Sequence, residues 1–271
     1  MLKKLHRCER LFVYFCFMKK RLYLFFPALF CLFLSLFIAC EQPQLIDIEA
    51  SQPFSKLKDT DGVEYITVKI GTQTWMAENL RTTKYNDGKP IPMVTSNNDW
   101  KNLKTAAYCW YNNDSVFFKT KYGAMYNWYA ISSGKLAPKG WRIPSDSDWS
   151  VLENYLKANN FNFNSSKTSN DYAKSLAAKV YWSSSVVIGA VGNVDYPSLR
   201  NKTGFSALPG GYRLEDGTFN NEGNIGYWWT ATNNPNTISK AWYRYIYYDE
   251  SSMGRNNFLK TRAYSIRCIK N

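Results

Sequence analysis

The stretch GWRIPSDSDWSVLENYLKANN, residues 140–160, gives the clearest local folding instruction in the chain. After Gly140-Trp141-Arg142-Ile143-Pro144, Ser145 is a natural N-cap. Asp148 stands three positions on, a short-armed variant of the capping box, and acids in this first turn complement the helix dipole. Trp149, Leu152 and Leu156 then recur on one face, so the spacing predicts an amphipathic helix over 145–158 that Asn159-Asn160 ends.

On either side the texture is that of strands. Upstream, EYITVKI (64–70) alternates Ile66, Val68 and Ile70 onto one face, and Gly71-Thr72 supplies a turn into QTWM (73–76), which reads as a hairpin. In YGAMYNWYAI (122–131), Met125, Trp128 and Tyr129 fall at helical spacing and predict a second short helix, and DYAKSLAA (171–178) allows another turn or two. Downstream, residues 226–232, 241–248 and 263–269 have the aromatic and β-branched content of strands, between loops rich in Gly, Ser and Asn.

The N-terminal end has a different character. Residues 22–39, LYLFFPALFCLFLSLFIA, carry no charge, follow Lys19-Lys20-Arg21 and end at Ala39-Cys40, the layout of a secretion signal. Ala39 followed at once by Cys resembles a lipobox, although Phe37 stands where Leu is usual, and makes Cys40 the expected lipid-bearing residue. An uncleaved anchor is the alternative, because 18 apolar residues just suffice to span a bilayer. Met18 is a second conventional starting point for the signal. Residues 40–58, with two prolines and no clear period, read as a tether that reaches roughly 60 Å at most.

Removing residues 1–39 takes seven of the 34 Lys and Arg and one of the 21 acids, leaving a net charge of +7. These cations are scattered, which points to a solvated surface and not to a nucleic-acid partner. Cleavage also takes His6, the single histidine. Without imidazole, a Ser/His/Asp triad, a Cys/His dyad and His-ligated zinc are excluded. Cys109 and Cys268 remain beside Cys40 as an even pair. In an oxidising compartment they are expected to form a disulfide, which on the chain-entropy model adds about 5 kcal/mol at most; two buried free thiols are the alternative.

Six ordered segments carry a resemblance: VKIGTQTWMAENL (68–80), YGAMYNW (122–128), GWRIPS (140–145), GFSALPGGYR (204–213), GYWWT (226–230) and SIRC (265–268). Together they resemble the Fibrobacter succinogenes major paralogous domain, a family of exported bacterial proteins, over roughly residues 59–270. That family is distantly similar to C-type-lectin-like and formylglycine-generating-enzyme-like domains. The resemblance therefore implies an α+β fold of C-type-lectin-like form, two helices packed on a twisted, mainly antiparallel sheet with long loops. It implies no established activity.

Function is weighed from the residues. Aromatics make up 17% of the chain, which favours a binding or adhesion module whose rings stack on carbohydrate or another surface ligand. Trp228 and Trp229, neighbours in a strand, should point to opposite faces, and Tyr243 and Tyr245 share one, so these four are the candidate ligand-binding residues. Packing in the core is the competing reading for each. A structural surface protein with a protein partner is the alternative function. A glycoside hydrolase built on carboxylates is the second, with Glu215-Asp216 and Asp249-Glu250 as candidates, although both pairs read as turns. Formylglycine-type oxidation lacks a cysteine-pair site, and Asn233-Asn234-Pro235-Asn236 is a turn before it is a calcium site. Pro209-Gly210-Gly211 predicts a tight turn with positive φ and no phosphate cradle. Neither a cofactor nor a metal is expected. The partners are a membrane, reached through lipid on Cys40 and placed at the bacterial outer membrane, and a glycan or surface protein.

Overall fold

The computed structural model describes residues 56–271, so the signal, Cys40 and most of the tether lie outside the described residues. In chain order come β1 (Lys56–Lys58), β2 (Glu64–Ile70), β3 (Gln73–Met76), α1 (Asn97–Lys101), β4 (Tyr108–Cys109), α2 (Ser115–Tyr122), β5 (Met125–Asn127) and α3 (Trp128–Ser132). They are followed by β6 (Trp141–Arg142), α4 (Asp146–Ala158) and α5 (Ala173–Leu176). The remainder is strand: β7 (Gly210–Arg213), β8 (Phe219–Glu222), β9 (Ile225–Asn233), β10 (Lys240–Tyr247), β11 (Met253–Leu259), β12 (Ala263–Tyr264) and β13 (Ile269–Lys270).

These strands form three sheets, ordered β1-β2-β3-β13-β6, β11-β10-β9 and β4-β5-β12-β7-β8, with every strand pairing antiparallel. The protein is thus a mixed α+β domain, mostly strand. Five helices are described where the resemblance implied two and the residues allowed a third at 171–178, which is α5; α4 is the one that runs beyond two and a half turns. Lys56–Lys58, read as the end of the tether, pairs as β1 with β2.

Both faces of the central strands are covered, and this explains where the aromatic residues go. Along β2, Tyr65 enters one hydrophobic cluster and Ile70 a second, and β3 likewise divides Met76 from Trp75. In β9, Tyr227 and Trp229 enter the first and Trp228 the second, while at the C-terminus Cys268 and Ile269 part in the same way. Two-residue alternation sends neighbours to opposite sides, and here each side is a core. On the expected common face of Ile66, Val68 and Ile70 the last two pack into the second cluster, whereas Ile66 is 47% exposed; Tyr65 and Thr67 are buried on the other.

Helix α4 closes the second cluster. Ser145 Oγ accepts from Asp148 N, and Asp148 Oδ2 accepts from Ser145 N at 2.7 Å, so the short-armed capping box forms. Trp149, Leu152 and Leu156 are the buried face, and Trp149 packs 4.8 Å from Trp75 and 6.5 Å from Trp228 between ring centroids. Each such side chain contributes roughly 1.5–3 kcal/mol by leaving water.

The expected helix at 122–131 is not one element. Gly123 at φ 77° ends α2, and Met125–Asn127 becomes β5, which hydrogen-bonds to both β4 and β12. Two flanking ladders outweigh the local periodicity. The side chain of Asn127 then accepts from Ala130 N and starts α3. Gly211 has the anticipated positive φ of 63°, but it lies within β7 and not in a tight turn. A Cβ there would stand 2.4 Å from Asn220 O across the β7–β8 pair.

Candidate functional site

The four aromatic residues singled out in the sequence do not assemble into a binding face. Trp228 and Trp229 are each 0% exposed and Tyr243 6%. Trp228 Nε1 donates to Asn79 Oδ1 at 3.0 Å, and Trp229 Nε1 donates to Tyr126 O at 3.0 Å, so both indoles have polar partners inside the protein. Trp229 lies 5.9 Å from Tyr243, and Tyr243 lies 5.8 Å from Tyr245, which is partly exposed at the edge of this packing. Trp228 belongs to the opposite core. Because the sheet is covered on both sides, the packing reading replaces the ligand reading for these residues.

Cys109 and Cys268, expected as a bridge, are both free buried thiols. They occupy different clusters, Cys109 with Trp100, Met125 and Ala263, and Cys268 with Met76 and Tyr126. Burial pushes the Cys109 thiol up to about 12, against the pull of Arg213, and raises that of Cys268 as well, with Asp59 adding to the effect.

The segments that carry the family resemblance converge on a buried polar hub. Asn79 Nδ2 donates to Tyr122 O at 2.8 Å and Ser265 Oγ at 3.2 Å, and its Oδ1 accepts from Trp228 Nε1 at 3.0 Å and Arg267 Nε at 2.8 Å. Arg267, also buried, donates to Met76 O, Phe205 O and Ser206 O, and its guanidinium lies 4.6 Å from the Phe205 ring centroid. Five of the six segments meet here. Burial lowers the Arg267 pKa to about 9, with Glu78 opposing the shift. The remaining segment, 140–145, stands outside the hub; its Pro144 O accepts from Ala231 N, one residue past GYWWT, at 2.8 Å. The Asn79 amide is fully bonded and Arg267 engages four of its five N–H groups inside the protein, which makes the network scaffold.

Chemistry that faces solvent lies elsewhere, where α2, β8 and the loop after α5 meet. A cleft of about 400 Å³ is lined by Phe117, Thr120, Lys121 and Tyr181. Helix α2 explains the outward pair: Phe118 and Tyr122 face inward four residues apart, their rings stacked at 5.9 Å, which turns Phe117 and Lys121 to the outside. Phe117 is 63% exposed and Tyr181 53%. Tyr181 has φ 72°, a left-handed conformation that bulky side chains rarely adopt and that clusters at functional sites. Its ring meets Tyr122 edge-on at 6.0 Å.

Glu222 on β8 is not among the lining residues but holds Lys121, which is. Lys121 Nζ donates to Glu222 Oε1 at 2.9 Å, and Tyr122 Oη donates to the same oxygen at 2.6 Å. Burial alone would raise the Glu222 carboxyl; hydrogen bonds from Tyr122 and Lys121 hold it below its ordinary range. The ammonium lies 4.6 Å from the Tyr122 ring centroid and 4.7 Å from that of Tyr181, a cation–π position over both. Sequence reasoning passed over Phe117, Lys121, Tyr181 and Glu222. A readable signal was present in SVFFKTKY, where Phe117 and Lys121 stand four apart on the stripe beside that of Phe118 and Tyr122.

The carboxylate pairs weighed for hydrolysis lie outside this cleft lining. Glu215 is tied to Arg262 at 2.6 Å and Asp216 caps Thr218 N at 2.9 Å in the β7–β8 turn. Asp249 and Glu250 sit in the turn after β10, where burial and the neighbouring Asp249 raise the Glu250 carboxyl. At 233–236, Asn234 Oδ1 accepts from Asn236 N, a side-chain-closed turn. Among the described residues no cluster of three or more His, Cys, Asp or Glu is placed to hold a metal ion, and no helix is long and apolar enough to cross a membrane.

Three antiparallel sheets, helix α4 over the second cluster and a buried Asn79–Arg267 hub joining five signature segments define an α+β domain. The chain belongs to the Fibrobacter succinogenes major domain family, whose model matches residues 68–270. No curated protein and no solved structure matches the chain.

Proposed function

We propose that this chain is a binding or adhesion module of C-type-lectin-like architecture, exported and held at the bacterial outer membrane by lipid on Cys40, and that it engages carbohydrate through the Phe117–Tyr181 cleft. The observation that carries the reading is the exposure of two aromatic rings at the walls of a cleft that also presents Lys121 and Thr120. Sugar rings offer apolar C–H faces to such side chains and hydroxyls to the polar ones. Tyr181 is kept in a costly backbone conformation although its ring contributes little to the core, which fits a role directed outward.

A glycan array probed with the full chain tests this. Binding is expected, and Phe117→Ala and Tyr181→Ala should abolish it while thermal melting stays close to that of the parent. A blank array would end the carbohydrate reading and shift the proposal to a protein partner. Attachment is tested separately by mass spectrometry of the mature N-terminus: a diacylglyceryl group on Cys40 is expected, and an unacylated Cys40 would remove the anchor.

A further inference from the structure

We infer that the cleft selects an uncharged sugar ring that sets two adjacent hydroxyls across the Lys121–Glu222 pair; this rests on the carbohydrate reading above. The pair places an ammonium donor and a carboxylate acceptor 2.9 Å apart, with side-chain exposures of 20% and 33%. A vicinal diol matches it: one oxygen accepts from Lys121 Nζ while its neighbour donates to Glu222. Among the described residues the bonds from Lys121 and Tyr122 both fall on Oε1, which leaves Oε2 for the incoming hydroxyl.

Pre-organisation supports the assignment. Tyr122 Oη fixes the carboxylate from the buried side, and the Tyr122 and Tyr181 ring faces fix the ammonium, so neither group loses much freedom when a ligand arrives. Charge sets the selectivity. Lys121 is already neutralised by Glu222, so an acidic sugar gains no free cation and must approach a carboxylate. Tyr181 and Phe117 then take the apolar face of the ring, which orients its edge toward the pair.

A chemical double-mutant cycle tests the inference. Titration calorimetry with the full chain would use a neutral methyl hexopyranoside found on the array, its two monodeoxy analogues at the diol, and the matching uronic acid. We expect Glu222→Gln to weaken the parent sugar by at least tenfold. Removing the hydroxyl that donates to Glu222 should weaken binding to the wild type by a similar factor, yet cost Glu222→Gln less, because the variant has already lost the charge-assisted strength of that bond. The uronic acid should bind at least tenfold more weakly than the neutral sugar.

Additive losses, an unaffected Glu222→Gln, or equal binding of the uronic acid would overturn the diol assignment while the Phe117 and Tyr181 variants still upheld carbohydrate binding. Absence of binding to every sugar overturns both. If Glu222→Gln does not fold, the deoxy and uronic acid titrations against wild type decide alone: undiminished binding of either class of analogue overturns the assignment.

Discussion

Asn79 illustrates what a single side chain does in this domain, because its amide fills all four of its hydrogen-bonding positions with groups from three other segments. Truncating it strands the Trp228 indole N–H and the Arg267 Nε–H inside the core. Unmet buried donors, one of them charged, are costly, so Asn79→Ala should lower stability by about 3–5 kcal/mol in urea denaturation. A loss under about 1 kcal/mol would show that the hub is dispensable. Tyr181 is the converse case. Replacing it with Gly removes the strain of φ 72° together with the ring. Thermal melts of Tyr181→Gly should therefore lie within about 1 kcal/mol of the parent or above it, with sugar binding lost.

Helix α4 shows how far local sequence reaches. Ser145, Asp148, Trp149, Leu152 and Leu156 were legible in their roles because a cap and a stripe are decided within one turn or a few. The segment at 122–131 was not, since its strand exists only through partners at Tyr108–Cys109 and Ala263–Tyr264, far away in the chain. Trp228 and Trp229 failed as ligand candidates for a related reason: alternation predicts opposite faces, but which of them meets solvent depends on what covers the sheet. The cleft was hidden because Glu222 and Tyr181 come to Lys121 from remote segments. At α4 the carboxyls also set an acid limit. Burial would raise those of Asp146 and Asp148, but hydrogen bonds from Arg255 and Arg244 to the first, and from Arg142 and Ser145 to the second, hold both low. Groups depressed by folding stabilise above their unfolded pKa of about 4 and lose that contribution as pH falls through the lower folded values. Urea midpoints should thus stay level down to about pH 5 and drop below about pH 4, and Asp148→Asn should shrink the drop; an unchanged profile would discount the cap as an acid sensor.

Across the whole molecule, covering both faces of the sheets consumes most of the aromatic residues and buries both thiols. Iodoacetamide should leave Cys109 and Cys268 of the native protein unmodified and label both in denaturant without reductant. Peptides linked through sulfur would instead establish the bridge. The sheet order β1-β2-β3-β13-β6 has a separate consequence. Its fourth strand, Ile269–Lys270, sits between β3 and β6, which precede it by well over a hundred residues. The flanking strands therefore keep an open seam between them until residues 269–270 have emerged, so this sheet cannot zip up in the order in which it is synthesised.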